Sequence, residues 1–247
     1  KQVPAAEYNP FEFIKTNVIG SNNIIEACLE ESVERVVALS TDKAAAPVNL
    51  YGATKLCADK LFVAGNNISG NQNIRMSVVR YGNVAGSRGS VIPLFTKQAK
   101  EGHLTITDPN MTRFSITLQQ GVDLVRKTLE TGKGYEIIVP KIPSYRVGDV
   151  AKAIAPDIKA TICGIRPGEK MHEEMITSAD SHFTYEMEDH FVILPNDKKA
   201  IERVIGKDGE IKKFKEGSNY ASNTNDNFLS IEEIKELVND INSENTT

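Results

Sequence analysis

Residues 36–55 constrain this chain more than any other stretch. Val36-Val37-Ala38-Leu39 is a short, β-branched apolar run of the kind that forms a buried strand in a parallel sheet. It ends in Ser40, Thr41, Asp42 and Lys43, all of which can hydrogen-bond or move protons. A loop bearing Pro47 follows, and a helix opens near Leu50. On that helix Tyr51 and Lys55 are four residues apart and therefore share one face. Open α/β sheets take their ligands at the carboxyl ends of their strands, which makes residues 40–55 the first candidate site.

The chemistry of the Tyr51/Lys55 pair is specific. A lysine ammonium about 4 Å from a phenol, at an effective dielectric near ~20, favours the phenolate by roughly 4 kcal/mol. That lowers a phenol pKa of about 10 by about three units, into the working range of a general base. Tyr-x-x-x-Lys alone is common on amphipathic helices. The strand ending in Ser-Thr-Asp-Lys just upstream is what makes the pair informative.

Ser40-Thr41-Asp42-Lys43 followed by Asn49-Leu50-Tyr51-Gly52-Ala53-Thr54-Lys55 resembles the extended short-chain dehydrogenase/reductase superfamily. More narrowly, it resembles the soluble 5-inverting UDP-N-acetylglucosamine 4,6-dehydratases of pseudaminic acid and related surface-glycan or flagellin-sugar biosynthesis. The resemblance continues through Arg80-Tyr81-Gly82-Asn83-Val84, Gly86-Ser87-Arg88-Gly89-Ser90, Met111-Thr112-Arg113-Phe114 and Gly164-Ile165-Arg166-Pro167-Gly168-Glu169-Lys170, and so spans nearly the whole chain.

The resemblance implies elimination of water across C5–C6 of UDP-N-acetylglucosamine with NADP used and regenerated in each turnover. Thr41, Asp42, Lys43, Tyr51 and Lys55 are then the catalytic candidates, and Tyr51, Lys55 and Tyr81 the cofactor-binding ones. Lys1, Asn83, Arg88, Arg166 and Glu169 are the substrate-binding candidates, with Arg166 on the UDP diphosphate. Asn17, in Thr16-Asn17-Val18, is expected to order a water or the catalytic lysine. Retaining dehydratases of the dTDP-glucose type usually carry Thr-Asp-Glu where this chain has Thr41-Asp42-Lys43. The large membrane-anchored enzymes commonly carry Met at the Tyr51 position. Having both Lys43 and Tyr51 favours the short inverting class and a cytoplasmic location. A UDP-sugar 4-epimerase, a retaining dehydratase and a non-catalytic sugar-nucleotide-binding chain remain as alternatives, although simple epimerases have no need of an Asp-Lys pair beside the tyrosine.

Bulk properties agree with an enzyme of small molecules. At 247 residues the chain can bury a real core. A net charge of −4 gives no support to nucleic-acid binding. No apolar run approaches a membrane span, and no signal peptide is visible. Cys28, Cys57 and Cys163 have no metal-ligand spacing, lie among apolar residues, and are expected to be buried free thiols. No metal site is expected. The chain opens at Lys1 without methionine and contains no Gly-x-Gly-x-x-Gly fingerprint. A dinucleotide fold needs that turn for its pyrophosphate, so the resemblance leads us to expect that about a third of the family's domain precedes Lys1.

The remaining pattern places a helix over 9–31 with Asn9 as N-cap and Pro10 at its first position, strands over 35–40 and 76–81, and a helix over 49–66. Helices are expected near 90–101, 117–131 and 147–154, with strands near 104–107, 136–139 and 161–163. Residues 206–227 read as a poorly packed polar loop, and His172 as a surface or supporting residue. Ser230-Ile231-Glu232-Glu233 is a capping box opening a last helix to about Ile241, with a frayed tail beyond Asn242. The expected fold is α/β: the later part of a doubly wound (Rossmann) parallel sheet over 1–90, then a smaller interleaved substrate-binding domain over 91–247. Strands of the sheet are allowed to return from later segments. Homo-oligomerisation through the helices at 9–31 and 49–66 is also expected.

Overall fold

The computed structural model describes residues 2–70, 73–206 and 211–244. The fold is α/β, and its contacts divide it into two units, each woven from three segments. The first comprises Lys1–Tyr81, Val122–Lys141 and Glu174–Tyr220; the second comprises Gly82–Gly121, Ile142–Glu173 and Ala221–Thr247. The division falls after Tyr81 rather than at residue 90, and the chain returns to the first unit twice after leaving it.

The first unit holds a five-stranded sheet in the order Arg35–Leu39, Arg75–Val79, Ile137–Pro140, His190–Ile193, Thr184–Glu186, while its Glu174–Ile176 strand pairs separately with Tyr220–Ala221. The first three run parallel and the last two are antiparallel additions. Parallel neighbours need a crossover, and the Leu50–Ile68 helix supplies the one between the first two strands. Val78 and Val79 have no exposed surface, each contributing about 1.5–3 kcal/mol of apolar burial. The helix lies so close to this strand that a Cβ on Gly65 would meet Met76 Sδ at 2.5 Å. Asn66, one residue on, donates to Met76 O (2.9 Å) and accepts from Met76 N (3.0 Å). Met76 O also accepts from Tyr135 N at 3.0 Å, just before the Ile137–Pro140 strand begins.

Three expectations need correction here. The Arg35–Leu39 strand is half-buried rather than buried, with Leu39 50% exposed, because no described strand pairs with its outer side. The 9–31 helix is present but contains a π-helical segment, Ile14–Ile19, between Pro10–Phe13 and Gly20–Glu30. Asn9 occupies the N-cap without capping, since its side-chain amide turns back to Ala5 O at 3.0 Å.

The second unit has a three-stranded sheet, Asn83–Val84, Thr112–Ile116 and Ser144–Arg146, parallel across the first pair and antiparallel across the second. Its core gathers Phe95, Leu104, Met111, Val150 and Ile234, partly from the helices Val91–Lys100, Val147–Ile154 and Ile231–Glu244. The capping box of the last helix forms in both directions: Glu233 N donates to Ser230 Oγ (3.2 Å) and Ser230 N to Glu233 Oε2 (2.7 Å). That helix runs three residues past the expected Ile241, to Glu244; the tail from 245 lies outside the described residues. Of the stretch expected to be a loose loop, 207–210 also lie outside them, but Ala221 and Ser222 are buried.

The cysteines are the clearest departure. Cys57 and Cys163 are exposed and Cys28 is intermediate. Cys57 sits on the outward side of its helix while Ala58 and Asp59 point inward, and Cys163 follows an exposed strand, Thr161–Ile162. Among the described residues no group of His, Cys, Asp and Glu could hold a metal ion. No described helix is long and apolar enough to cross a membrane.

Candidate active site

The site begins where the strands end. Parallel pairing carries on past the regular strands, with Ser40 N donating to Val79 O (2.7 Å) and Asp42 N to Tyr81 O (3.1 Å). The chain then turns through one short 3₁₀ helix, Asp42–Ala44, whose N-cap Thr41 accepts from Lys43 N at 3.4 Å. Asn49 caps the Leu50–Ile68 helix by accepting from Gly52 N (2.8 Å). The start of this helix presses on the turn. A Cβ at Gly52 would lie 2.2 Å from Lys43 O, closer than real Cβ atoms come, and 3.0 Å from Pro47 Cβ. Glycine after Tyr51 is therefore what allows the phenol and the Asp42–Lys43 turn to share one small space.

Within that space Asp42 is the hub. Its Oδ1 accepts from Thr41 Oγ1 (2.9 Å) and Lys43 Nζ (3.1 Å), and the residue is 1% exposed. Its Oδ2 is buried and has no hydrogen-bond partner. A buried acceptor left unmade costs about 1–3 kcal/mol, and such an oxygen is poised to meet a donor brought by a ligand. Burial pushes the Tyr51 phenol above its ordinary pKa; Lys43 opposes this most strongly, Asp42 adds to it, and a hydrogen bond with Thr41 lowers it.

Lys55 is engaged elsewhere than the sequence spacing suggested. Its Nζ donates to Leu39 O (2.7 Å), burial lowers its pKa, and the opposing carboxylate is Asp59. The cation that favours the Tyr51 phenolate is Lys43. Asn17, carried on the π-helical segment, donates to Thr54 Oγ1 (3.0 Å), which itself donates to Tyr51 O (2.9 Å). It therefore braces the tyrosine's helix rather than contacting Lys55. A π turn in an α-helix is a frequent device for re-aiming one side chain. Burial also raises the Tyr81 phenol.

Thr41, Asp42, Lys43, Tyr51, Lys55 and Tyr81 all belong to the first unit, while Asn83, Arg88, Arg166 and Glu169 belong to the second. Asn83 pairs with Ser115 in the second unit's sheet, and its Oδ1 is buried without a partner. Arg88 is exposed in a turn whose Gly86 and Gly89 have φ of +72° and +76°. Arg166 is also exposed and is already engaged by Glu169: Nη2 reaches Oε1 at 3.0 Å and Nε reaches Oε2 at 3.3 Å. Lys1 lies outside the described residues. His172 is half-buried, 2.8 Å from Thr112 Oγ1, and its pKa is lowered by burial and by Arg113. A buried trio of Ser40, Asp59 and Arg80 lies behind Lys55 and was not singled out from the sequence. The available signal was spacing, since Asp59 continues the Tyr51, Lys55 series at four-residue intervals.

Lys55 has three N–H donors and uses one on Leu39 O, so two remain for a diol such as a ribose. With Tyr51 on the same helix face, these residues fit the nicotinamide-ribose end of a dinucleotide. The pyrophosphate end calls for a glycine turn at a helix start, and these 247 residues contain no such fingerprint.

Comparison with known proteins adds the family. The pattern of the family described as "Polysaccharide biosynthesis protein" matches residues 1–195. The UDP-N-acetylglucosamine 4,6-dehydratase (inverting) of Campylobacter jejuni subsp. jejuni serotype O:2 is 51% identical over 247 residues, covering 97% of this chain and 73% of that protein. A UDP-glucose 4-epimerase of Rickettsia canadensis is 40% identical over 248 residues, covering 98% and 72%. The X-ray structure of Pen from Bacillus thuringiensis superposes with a TM-score of 0.86 at 36% identity, covering 97% of this chain and 73% of that one. The chain belongs to the polysaccharide biosynthesis protein family, and its fold is that of the extended short-chain dehydrogenases/reductases.

Proposed function

We propose that this chain carries the acid–base centre of a UDP-N-acetylglucosamine 4,6-dehydratase that inverts C5, with NADP as its resident cofactor. The observation that carries this reading is the Asp42–Lys43 contact at 3.1 Å, held against the Tyr51 helix by the close approach at Gly52. The 51% identical Campylobacter protein supports it.

The C5–H of the sugar is not acidic until C4 is a ketone. A nicotinamide cofactor held at its ribose by Tyr51 and Lys55 would supply the reversible hydride chemistry that makes C4 a ketone and later reduces C6. Tyr51 takes the 4-OH proton, with the Thr41 hydroxyl hydrogen-bonded to the same oxygen. Lys43 then removes the C5 proton, and Asp42 protonates the departing 6-OH. The Lys43–Asp42 contact couples these two roles, because a proton passed from Nζ to Oδ1 leaves an amine base beside a carboxylic acid. Reprotonation of C5 from the opposite face gives inversion. Lys55 holds the cofactor ribose. Lys1, Asn83, Arg88, Arg166 and Glu169 hold the UDP-sugar, the two arginines through the planar guanidinium geometry that matches phosphate oxygens.

The reaction is assigned to the cytoplasm, where nucleotide sugars and nicotinamide cofactors meet. A homo-oligomer is part of the proposal. The exposed apolar side chains Phe11, Ile19 and Ile24 on the 9–31 helix support it, and sedimentation velocity tests it.

The function is tested by incubating the full-length protein with UDP-N-acetylglucosamine and NADP and following the product by NMR. The expected product is the C5-inverted UDP-4-keto-6-deoxy-N-acetylhexosamine. A product changed only at C4 would replace this reading with 4-epimerisation, and retention at C5 would assign the retaining class.

A further inference from the structure

Three buried groups that the proposed chemistry does not use meet behind the strand end. Asp59 and Arg80 are each 2% exposed and Ser40 is 7%. Asp59 Oδ2 accepts from Ser40 Oγ at 2.8 Å and from Arg80 Nη2 at 3.1 Å. Arg80 Nη1 donates to Met175 O at 3.0 Å and lies 3.7 Å from Asp180 Oδ2. The attachment points are telling. Ser40 directly follows Leu39, whose carbonyl receives Lys55, and directly precedes Thr41-Asp42-Lys43. Arg80 directly precedes Tyr81, whose carbonyl receives Asp42 N. Asp59 lies on the Tyr51–Lys55 helix, one turn beyond Lys55. One carboxylate thus ties two adjacent strand ends to the helix that carries the phenol. A buried ion pair is seldom worth more than an apolar replacement for stability alone, so the reason for this one is sought in what it positions.

We propose that Asp59 is a positioning residue: through Ser40 and Arg80 it sets the register of the Thr41-Asp42-Lys43 turn against Tyr51, and it places a carboxylate one helical turn from Lys55. This rests on the dehydratase reading for its effect on turnover, but not for its effect on Lys55. The groups facing Asp59 are Ser40, Arg80 and Lys55, and Asp180 faces Arg80 from the far side. Burial lowers the Lys55 pKa and Asp59 is the carboxylate that opposes it. Removing that charge therefore releases the Lys55 proton at lower pH.

The test uses the full-length protein and three variants: Asp59→Asn, the charge-balanced Asp59→Asn/Arg80→Gln, and Ser40→Ala. The last removes only one O–H donor and keeps the fold testable if both Asp59 variants fail to fold. Labelling of Lys55 by an amine-reactive reagent is followed by mass spectrometry across pH, beside kcat and KM. In both Asp59 variants the midpoint for Lys55 labelling should move to lower pH, so that Lys55 labels faster at neutral pH than in the wild type. The kcat of folded enzyme should fall by about tenfold or more at unchanged KM. Ser40→Ala should lower kcat several-fold, also without raising KM. A purely structural role predicts lower thermal stability with wild-type kcat and wild-type Lys55 labelling in whichever variants fold, and that result overturns the proposal. A shifted Lys55 profile in a protein without dehydratase activity would uphold the positioning role and reject the proposed reaction instead.

Discussion

The candidate groups of the first unit and those of the second are built in opposite ways. In the first unit Thr41, Asp42, Lys43 and Tyr51 sit on a strand end, a single tight turn and a helix start, with Asp42 1% exposed. In the second unit Arg88 and Arg166 stand on exposed turns, and Arg166 is 64% exposed and satisfied by its own neighbour Glu169. Rigid, desolvated placement is what proton transfer requires. Exposed, solvated arginines on loops suit ligand capture, where ground state and transition state are held alike. The difference predicts that changes in the first unit act on kcat and changes in the second act on KM.

The largest effect is expected at Tyr51. Tyr51→Phe removes one oxygen and should lower kcat by about 10²–10⁴-fold, while UDP-sugar binding measured by calorimetry stays nearly intact. Turnover close to wild type would take Tyr51 out of the mechanism.

Gly52→Ala tests the tight fit directly. The added Cβ collides with backbone, Lys43 O, and backbone cannot rotate away as a flexible side chain would. Thermal denaturation should show a loss of about 1–3 kcal/mol, with a fall in kcat larger than the change in KM. An unperturbed kcat would mean that the phenol and the Asp42–Lys43 turn need no fixed distance.

Arg166→Ala probes the other side of the comparison. A charge-assisted contact to a diphosphate is worth about 1.5–3 kcal/mol, so steady-state kinetics should show KM raised by roughly ten- to a hundredfold with kcat held. If KM does not move, Arg166 and Glu169 are an ordinary solvated ion pair.

The smallest effect is expected at Asp189, an exposed carboxylate of the first unit. Its hydrogen bond from Lys127, with a further contribution from His190, lowers its pKa to about 2. A depressed carboxylate adds stability that is fully present above its unfolded pKa of about 4 and is lost as pH falls toward about 2. Because Asp189 is 59% exposed, solvent screens most of this. Asp189→Asn should change stability by less than about 1 kcal/mol at neutral pH. Chemical denaturation at pH 7 and in acid would reveal the expected flattening of the pH dependence.

Much of the first unit was legible because its signals are local. The apolar run before Ser40 and the four-residue spacing of Tyr51 and Lys55 each lie within a few residues, as does the Ser230–Glu233 capping box of the second unit. What was not legible depends on side-chain direction or on partners far along the chain. Spacing puts Lys55 near Tyr51, but the Lys55 Nζ donates to Leu39 O, and it is Lys43 that most strongly opposes the rise of the phenol pKa. Ser40 and Arg80 are 19 and 21 residues from Asp59 in sequence and meet it only once two parallel strands have paired. The Thr112–Ile116 strand was missed because Arg113 and Ser115 interrupt its apolar character, although all five residues are buried. Cys57 shows the converse, an apolar neighbourhood in sequence that becomes an exposed helix face in space.

The central claim is that Lys43 is the base for C5, acting through its contact with Asp42. It is tested most directly by hydrogen exchange at C5 in Lys43→Ala, measured by NMR with UDP-N-acetylglucosamine in deuterated water. The wild type should incorporate deuterium at C5 and form the 4-keto-6-deoxy product. The variant should hold its sugar at the C4-oxidised stage, with neither exchange at C5 nor dehydrated product, and with the pH dependence of Tyr51 moved upward by loss of the cation that most strongly opposes the rise of its pKa. Exchange at the wild-type rate in Lys43→Ala would contradict the assignment and pass the role of base to Asp42 or Tyr51.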